Sequence, residues 1–203
     1  VPINVNELGV DLLSMAANQF YGPSGVGALY VRPKTAIFPL IDGGTQEGGR
    51  RAGTPNMLGI VGMGKAAELA LIEMPQRTAY LWGLRKALID RLNDLEEIYI
   101  NGHPEKCLPG LVSFSVAYVE GESMTMMLDE EGICISTRSA CAAGSLRASH
   151  VLIATGRDYT LAQGTLIFSF GIDNTLEDIH RSVDVLKGSI EFLRSMSPLY
   201  NKK

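Results

Sequence analysis

The sequence predicts an α/β chain in which short strands alternate with amphipathic helices around a small mixed or antiparallel sheet. Three observations predict it. Apolar runs of strand length recur, as in VDLLSMA (10–16), GVGALYV (25–31), LVSFSV (111–116) and GTLIFSFG (164–171). Leucine and isoleucine stripes at helical spacing fall between them, and Gly and Pro clusters punctuate the changes.

Each element follows in order. The runs 10–16 and 25–31 are separated by YGPSG, where Pro23 fixes one φ and Gly22 and Gly25 permit positive φ. Both runs are apolar on both faces, which suits strands inside a covered sheet. Pro33 and Pro39 lead to DGGTQEGGRRAGTPN (42–56), with five glycines in fifteen residues. That stretch reads as a linker or as an ordered, ligand-facing loop; composition leaves both open. Residues 56–73 place Met57, Ile60, Gly64, Ala67 and Leu71 on one helical face, and residues 77–95 do the same with Leu81, Leu84, Leu88, Leu92 and Leu95. Pro75 is expected to separate two helices. Short strands are expected at 97–101 and 111–116, then a helix over 120–132 with Glu122 or Ser123 near its start and Gly132 past its end. ICIS (133–136) reads as a strand, TRSACAAGS (137–145) as a small-residue loop, and ASHVLIATG (148–156) as a short helix closed by Gly156. The strand in 164–171 precedes a helix over 176–194, with Thr175 as N-cap, Asp178 three residues on, and Ile179, Val183, Leu186, Ile190 and Leu193 as its buried stripe.

Composition excludes several functions. A formal net charge of −4, with Lys202-Lys203 as the longest cationic cluster, argues against a nucleic-acid binder. No apolar run approaches the roughly 20 residues of a membrane helix, and no signal peptide is visible. Three widely spaced cysteines, Cys107, Cys134 and Cys141, suit reduced thiols in a cytoplasm, and no Cys/His spacing supports a metal site. The opening VPINVNELGVD reads like the middle of a domain, so a fragment, a processed piece or half of a split protein is expected.

Cys141 is the candidate nucleophile. It lies among Ser, Ala and Gly ahead of a helix, with Arg138 three residues upstream; a guanidinium or helix N-terminus nearby lowers a thiol pKa. On these residues alone, a small buried cysteine in a tight turn is the favoured reading. Cys134 sits in an apolar run and Cys107 in a Pro-bounded loop with no base in view. His103, His150 and His180 have no metal-pair spacing and read as surface or capping residues.

Three segments in order resemble the cysteine desulfurases of the class V aminotransferase family, pyridoxal-phosphate fold type I. They are GVDLLSMAANQFYGPSGVGALYV, DGGTQEGGRRAGTPNMLGIVGMGKAAELA and ISTRSACAAGSLRASHVLIATG, and RSMSPLY is similar to a common family ending. The resemblance implies the end of the large cofactor-binding domain and the interdomain helix in 1–74, and the small C-terminal domain with the cysteine loop in 75–203. It implies that Cys141 forms the persulfide, and that Thr54 reaches the cofactor phosphate of the opposite subunit from a loop shaped by Arg51 and Gly53. It also implies pyridoxal phosphate as cofactor, L-cysteine as substrate, and a homodimer or a completing N-terminal chain. An iron–sulfur scaffold protein or another sulfur acceptor is the implied partner, in the cytoplasm.

Departures from the family pattern shape the expected function. The position of the family's cofactor lysine falls on Gln19, its histidine neighbour on Asn18, and its phosphate-contacting serine on Ala16. An amide cannot form an imine with an aldehyde, nor act as the lysine base. The family's substrate-carboxylate arginine falls on Ile172, and the family's N-terminal half, with its ring-stacking histidine, aspartate and Gly-rich phosphate loop, has no counterpart here. The expectation is a chain that accepts and relays sulfur on Cys141 but does not run pyridoxal-phosphate chemistry alone. A non-enzymatic scaffold or regulatory subunit that keeps the fold and dimer surface is the alternative.

Overall fold

A computed structural model describes residues 1–139 and 147–200. The chain divides into two compact units, Val1–Gln76 and Arg77–Lys203.

In the first unit, strands β1 (Leu12–Ala16) and β2 (Gly27–Val31) form an antiparallel ribbon with Leu12 opposite Val31 and Ala16 opposite Gly27. Arg32 ties the open end of the ribbon to the preceding turn, donating from Nη2 to the carbonyls of Val5 and Val10 and pairing with Asp11 at 3.1 Å. The strands were expected inside a covered sheet, and the structure corrects this: Leu12, Met15 and Leu29 are exposed. A two-stranded ribbon has two faces to cover, and of its strand residues only Leu13, Tyr30 and Val31 are half-buried. A helical turn, α1 (Gln46–Gly49), follows; Glu47 and Gly48 have φ of 52° and 63°, so it does not propagate.

Helix α2 (Met57–Leu92) runs through Pro75, where two helices were expected. Proline removes one ladder hydrogen bond and crowds the preceding turn, at a cost of about 3 kcal/mol. The flanking segments Ala66–Met74 and Gln76–Leu92 are rich in strong helix formers, and Leu84, Leu88 and Leu92 bury fully beyond the proline. The expected stripe before Pro75 is not a buried one: Met57, Ile60 and Leu71 are exposed.

In the second unit, β3 (Ile98–Ile100), β4 (Leu111–Val116) and β5 (Thr165–Ser169) form an antiparallel sheet from three of the expected strands, with β4 central. Val112, Phe114, Val116, Leu166 and Phe168 meet Leu84, Leu88 and Leu92 of α2, Met124 and Leu128 of α3 (Gly121–Glu130), and Ile179, Val183, Leu186 and Ile190 of α6 (Leu176–Met196) in one core. Four residues of the expected α6 stripe, Ile179, Val183, Leu186 and Ile190, are buried and the fifth, Leu193, is half-buried against the same core, and Thr175 caps the helix. Its hydroxyl accepts from the Asp178 N–H at 3.2 Å, and the Asp178 carboxylate accepts from the Thr175 N–H at 2.8 Å. The expected ICIS strand is reduced to a single bridge between Ser136 and Ile167. Short helices α4 (His150–Ala154) and α5 (Tyr159–Gln163) follow; the second was not expected, and Asp158 caps it by accepting from the Leu161 N–H at 3.0 Å. No helix among the described residues is long and apolar enough to cross a membrane.

Candidate functional site

Each unit carries one of the predicted regions. In the first, β1 ends in a 3-10 turn, Ala17–Phe20, closed by Tyr21 at φ 68°. The Ala17 carbonyl accepts from the Gly22 N–H at 2.8 Å, and the Ala17 N–H donates to the Val26 carbonyl at 3.1 Å. Ala17 is fully buried. A Cβ at Gly22 would lie 2.8 Å from the Ala17 Cβ, so only glycine lets the chain fold back this tightly. With Ala17 pinned beneath, Asn18 and Gln19 are carried outward as exposed side chains. No residue from Leu12 to Tyr21 bears an amine.

Helix α2 meets this turn through glycines. The Asn56 side chain accepts from the Gly59 N–H at 3.1 Å, an N-cap arrangement. A Cβ at Gly59 would lie 2.9 Å from the Val26 Cβ, and one at Gly62 would lie 2.8 Å from the Pro23 Cγ. The sequence reading put Met57, Ile60 and Gly64 on the packed face; the contact is made instead by small residues, a signal that apolar periodicity does not register. In the loop before α2, Arg51 donates from Nη1 to the carbonyls of Gly53 (3.1 Å) and Thr54 (3.3 Å), and Gly53 takes φ 96°. Arg51 thus curls over the Gly53-Thr54 step, and the Thr54 side chain is left exposed.

In the second unit, Cys141 lies outside the described residues, but both flanks are described. Ser136 pairs with Ile167 at the edge of β5, and the Gly121 end of α3 packs against Thr137; a Cβ at Gly121 would lie 2.8 Å from the Thr137 Cγ2. Arg138 is nearly enclosed, with its side chain 14% exposed. Its Nη2 donates to Glu122 Oε1 at 2.7 Å, its Nε to Thr137 Oγ1 at 3.1 Å, and its Nη1 to the Arg147 carbonyl at 3.2 Å. Thr137 Oγ1 also donates to Glu122 Oε1 at 3.2 Å. The guanidinium is therefore met by a carboxylate and a backbone carbonyl. Sixteen positions separate Glu122 from Arg138, so no local spacing announces their pairing.

The remaining candidates are spread out. Cys134 is exposed and Cys107 half-buried, with its Sγ 3.7 Å from the Pro104 carbonyl. His103 Nδ1 accepts from the N–H groups of Glu105 and Lys106, a local cap, and His180 Nδ1 accepts from Arg91 at 3.0 Å. Ile172 lies half-buried after β5. Among the described residues no cluster of His, Cys, Asp and Glu could hold a metal ion.

The Aminotransferase class-V family model matches residues 1–181. A cysteine desulfurase IscS of Dictyoglomus turgidum is 50% identical over 199 residues, spanning 98% of this chain and 50% of the relative. Cysteine desulfurase IscS 1 of Archaeoglobus fulgidus is 47% identical over 202 residues, covering 100% of this chain and 53% of its own length. Among solved structures, a NifS-like protein superposes with a TM-score of 0.83 at 33% identity over 95% of this chain and 49% of that one. A NifS-like protein from Rickettsia africae gives 0.85 at 25% identity over 94% and 50%. The chain spans about half the length of the relatives it matches.

Proposed function

The chain belongs to the class V aminotransferase family, and on that premise we propose that it accepts sulfur on Cys141 as a persulfide and passes it to an acceptor, in the manner of a cysteine desulfurase-like protein of sulfur mobilisation. The family is pyridoxal-phosphate dependent, and when bound the cofactor supplies an electron sink for carbanions. The observation that carries the reading is the turn at Ala17–Phe20, which holds a carboxamide, Gln19, outward at the place the resemblance gives to the lysine. A carboxamide neither condenses with an aldehyde nor serves as a base near neutral pH. The two lysines of the first unit lie in other segments, Lys34 in the turn after β2 and Lys65 within α2, 3.0 Å from Glu68. The residues present thus do not fit a covalently tethered pyridoxal phosphate, and sulfur relay needs no such tether.

The relay step is a thiol exchange. The Cys141 thiolate attacks the terminal sulfur of a donor persulfide; the donor S–S bond breaks, a new S–S bond forms on Cys141, and the donor departs as a thiolate. No outside oxidant is required. Two further features support a partnered protein: the relatives are twice as long, and Phe38 and Leu40 of the first unit are each 96% exposed. We read that apolar surface as covered by the half of the fold this chain does not span, upstream or on a separate chain, within a family-type dimer.

The test is incubation with cysteine and an active desulfurase, followed by peptide mass spectrometry. A 32 Da increase, roughly one sulfur atom, is expected on the Cys141 peptide and absent from Cys141→Ala. No adduct, with sulfur delivery unchanged by Cys141→Ala, would favour a scaffold or regulatory subunit. Steady release of sulfide from free cysteine by the purified chain alone would sink the reading of Gln19.

A further inference from the structure

We propose that the second unit binds a small zwitterion, a molecule with a free carboxylate and a free ammonium in the manner of amino acids and short peptides. The site is a cavity of about 550 Å3 lined by the C-terminal half of α6, by the loop that joins α2 to β3, and by Tyr200. Its volume falls within the roughly 300–1,000 Å3 of small-molecule sites. Helix α6 lines it with Lys187, Glu191 and Arg194, which share one face at helical spacing. None of the lining residues belongs to the Gln19 turn or to the surroundings of Arg138, so the inference stands apart from the sulfur relay.

Arg194 supplies the group that seeks a carboxylate. It is 6% exposed, and it donates from Nε to the Ala117 carbonyl at 3.3 Å and from Nη2 to the Glu96 carbonyl at 2.9 Å. Among the described residues no carboxylate pairs with it, and its Nη1 makes no hydrogen bond. A buried guanidinium without a counter-charge is costly, and the donors it has left suit a carboxylate. The guanidinium carbon lies 5.1 Å from the centre of the Tyr200 ring, and that ring is braced by Tyr118 with centroids 5.5 Å apart. Two backbone carbonyls and an aromatic face therefore hold the cation in one place before any ligand arrives. Lys187, exposed and likewise without an ion pair among the described residues, adds a second positive charge. The same cavity also carries Asp94, Glu96 and Glu191, and none of these carboxylates enters an ion pair among the described residues. A simple anion would meet three carboxylates there, and a simple cation would meet Arg194 and Lys187. A ligand that bears both charges satisfies both sets, and like-charge repulsion turns the others away. Leu95 and Ile190 give it apolar surface as well.

The test titrates the full chain with the dipeptide Ala-Phe, followed by saturation-transfer NMR, beside three controls: its C-terminal amide, its N-acetyl derivative and inorganic phosphate. Ala-Phe should bind saturably. Amidation, which removes the carboxylate offered to Arg194, should weaken binding at least tenfold. Acetylation, which removes the ammonium, should weaken it at least threefold, and phosphate should not displace the dipeptide. Glu191→Gln should weaken Ala-Phe at least threefold while leaving the N-acetyl form unchanged, because only the free ammonium uses that carboxylate. Arg194→Lys keeps the charge but loses the fork, so it should narrow the gap between dipeptide and amide at least threefold. If Arg194→Lys fails to fold, the amide control on the wild-type chain still reads the same contact without altering the protein. No saturable binding of Ala-Phe to the wild-type chain would overturn the site, as would equal affinity for the dipeptide and its amide. Displacement by phosphate would overturn the zwitterion by making this a plain anion site, and equal losses of both probes in Glu191→Gln would do so by removing the role of the ammonium.

Discussion

Replacing Gly121 by alanine tests how the start of α3 is held against the segment that leads to Cys141. An alanine Cβ there would lie 2.8 Å from the Thr137 Cγ2, 2.8 Å from the Thr165 carbonyl oxygen and 3.1 Å from the Gln163 carbonyl oxygen. The methyl of Thr137 can yield by a small rotation. The two carbonyls cannot, because Thr165 is the first residue of β5 and its neighbour Gly164 accepts from the Val116 N–H at 2.9 Å. Overpacking of this kind costs about 1–3 kcal/mol. The first turn of a helix returns little of that through propensity. Gly188 in α6 provides the contrast, since it has nothing within 4 Å of its built Cβ and is exposed. There, glycine to alanine should stabilise by about 1 kcal/mol. Trp82 is the sole tryptophan and sits in the second unit, so its fluorescence in urea follows that unit alone. With a slope of about 2 kcal/mol/M, the midpoint should fall by about 0.5–1.5 M for Gly121→Ala and rise by about 0.5 M for Gly188→Ala. A neutral or stabilising Gly121→Ala, with slope unchanged, would refute the claim that α3 and residue 137 are locked by close approach.

The other predictions concern the first unit and the last helix. Gln19→Lys puts an amine on the outward-facing turn, so pyridoxal phosphate followed by borohydride should label position 19 several-fold more than Lys34 or Lys65; equal labelling at all three would mean the turn gathers no cofactor. Thr175→Ala should cost about 1 kcal/mol through loss of the α6 cap, read as a drop in urea midpoint. The Asp178 carboxyl is held below its ordinary value of 3.8, first by the backbone N–H of Thr175, with desolvation opposing. A depressed carboxyl stabilises above its unfolded pKa, and that contribution is lost as pH falls through the lower folded value. The wild-type midpoint should therefore drop more steeply than that of Asp178→Asn as pH falls below 3.8; parallel curves would show that the cap does not titrate.

What the sequence made legible follows the physics of each segment. The α6 stripe and its cap are local, since Thr175, Asp178, Ile179 and Val183 lie within nine residues and obey helical spacing. The strands at 111–116 and 165–169 were legible because Val112, Phe114, Leu166 and Phe168 alternate into one core. Pro75 misled because a proline's local cost was outweighed by helix formers on both sides, a balance that no single residue displays. ICIS misled because apolar strand residues pair only where an edge is free, and here the chain leaves β5 after one bridge. The Arg138–Glu122 pair was illegible for the opposite reason: its chemistry is plain, but its partner is a tertiary one.

The first unit shows why a pattern can be read correctly and still not appear as burial. Its buried apolar residues are three alanines, Ala17, Ala52 and Ala66, while Leu58 is 89% and Leu71 74% exposed. Burying an alanine methyl contributes about 0.8 kcal/mol, whereas ordering each backbone residue costs about 1–2 kcal/mol. A ribbon, a glycine-rich loop and half a helix cannot be held by so small a core. Among the described residues, the second unit gathers fourteen buried residues in one cluster. Strands written for burial on both faces, yet exposed on the ribbon, are reconciled by the covering half proposed above. The Gln19 turn belongs to the unit that depends on a cover, whereas the Arg138–Glu122 pair belongs to the unit with its own core, and the sulfur relay proposed for Cys141 draws only on the second.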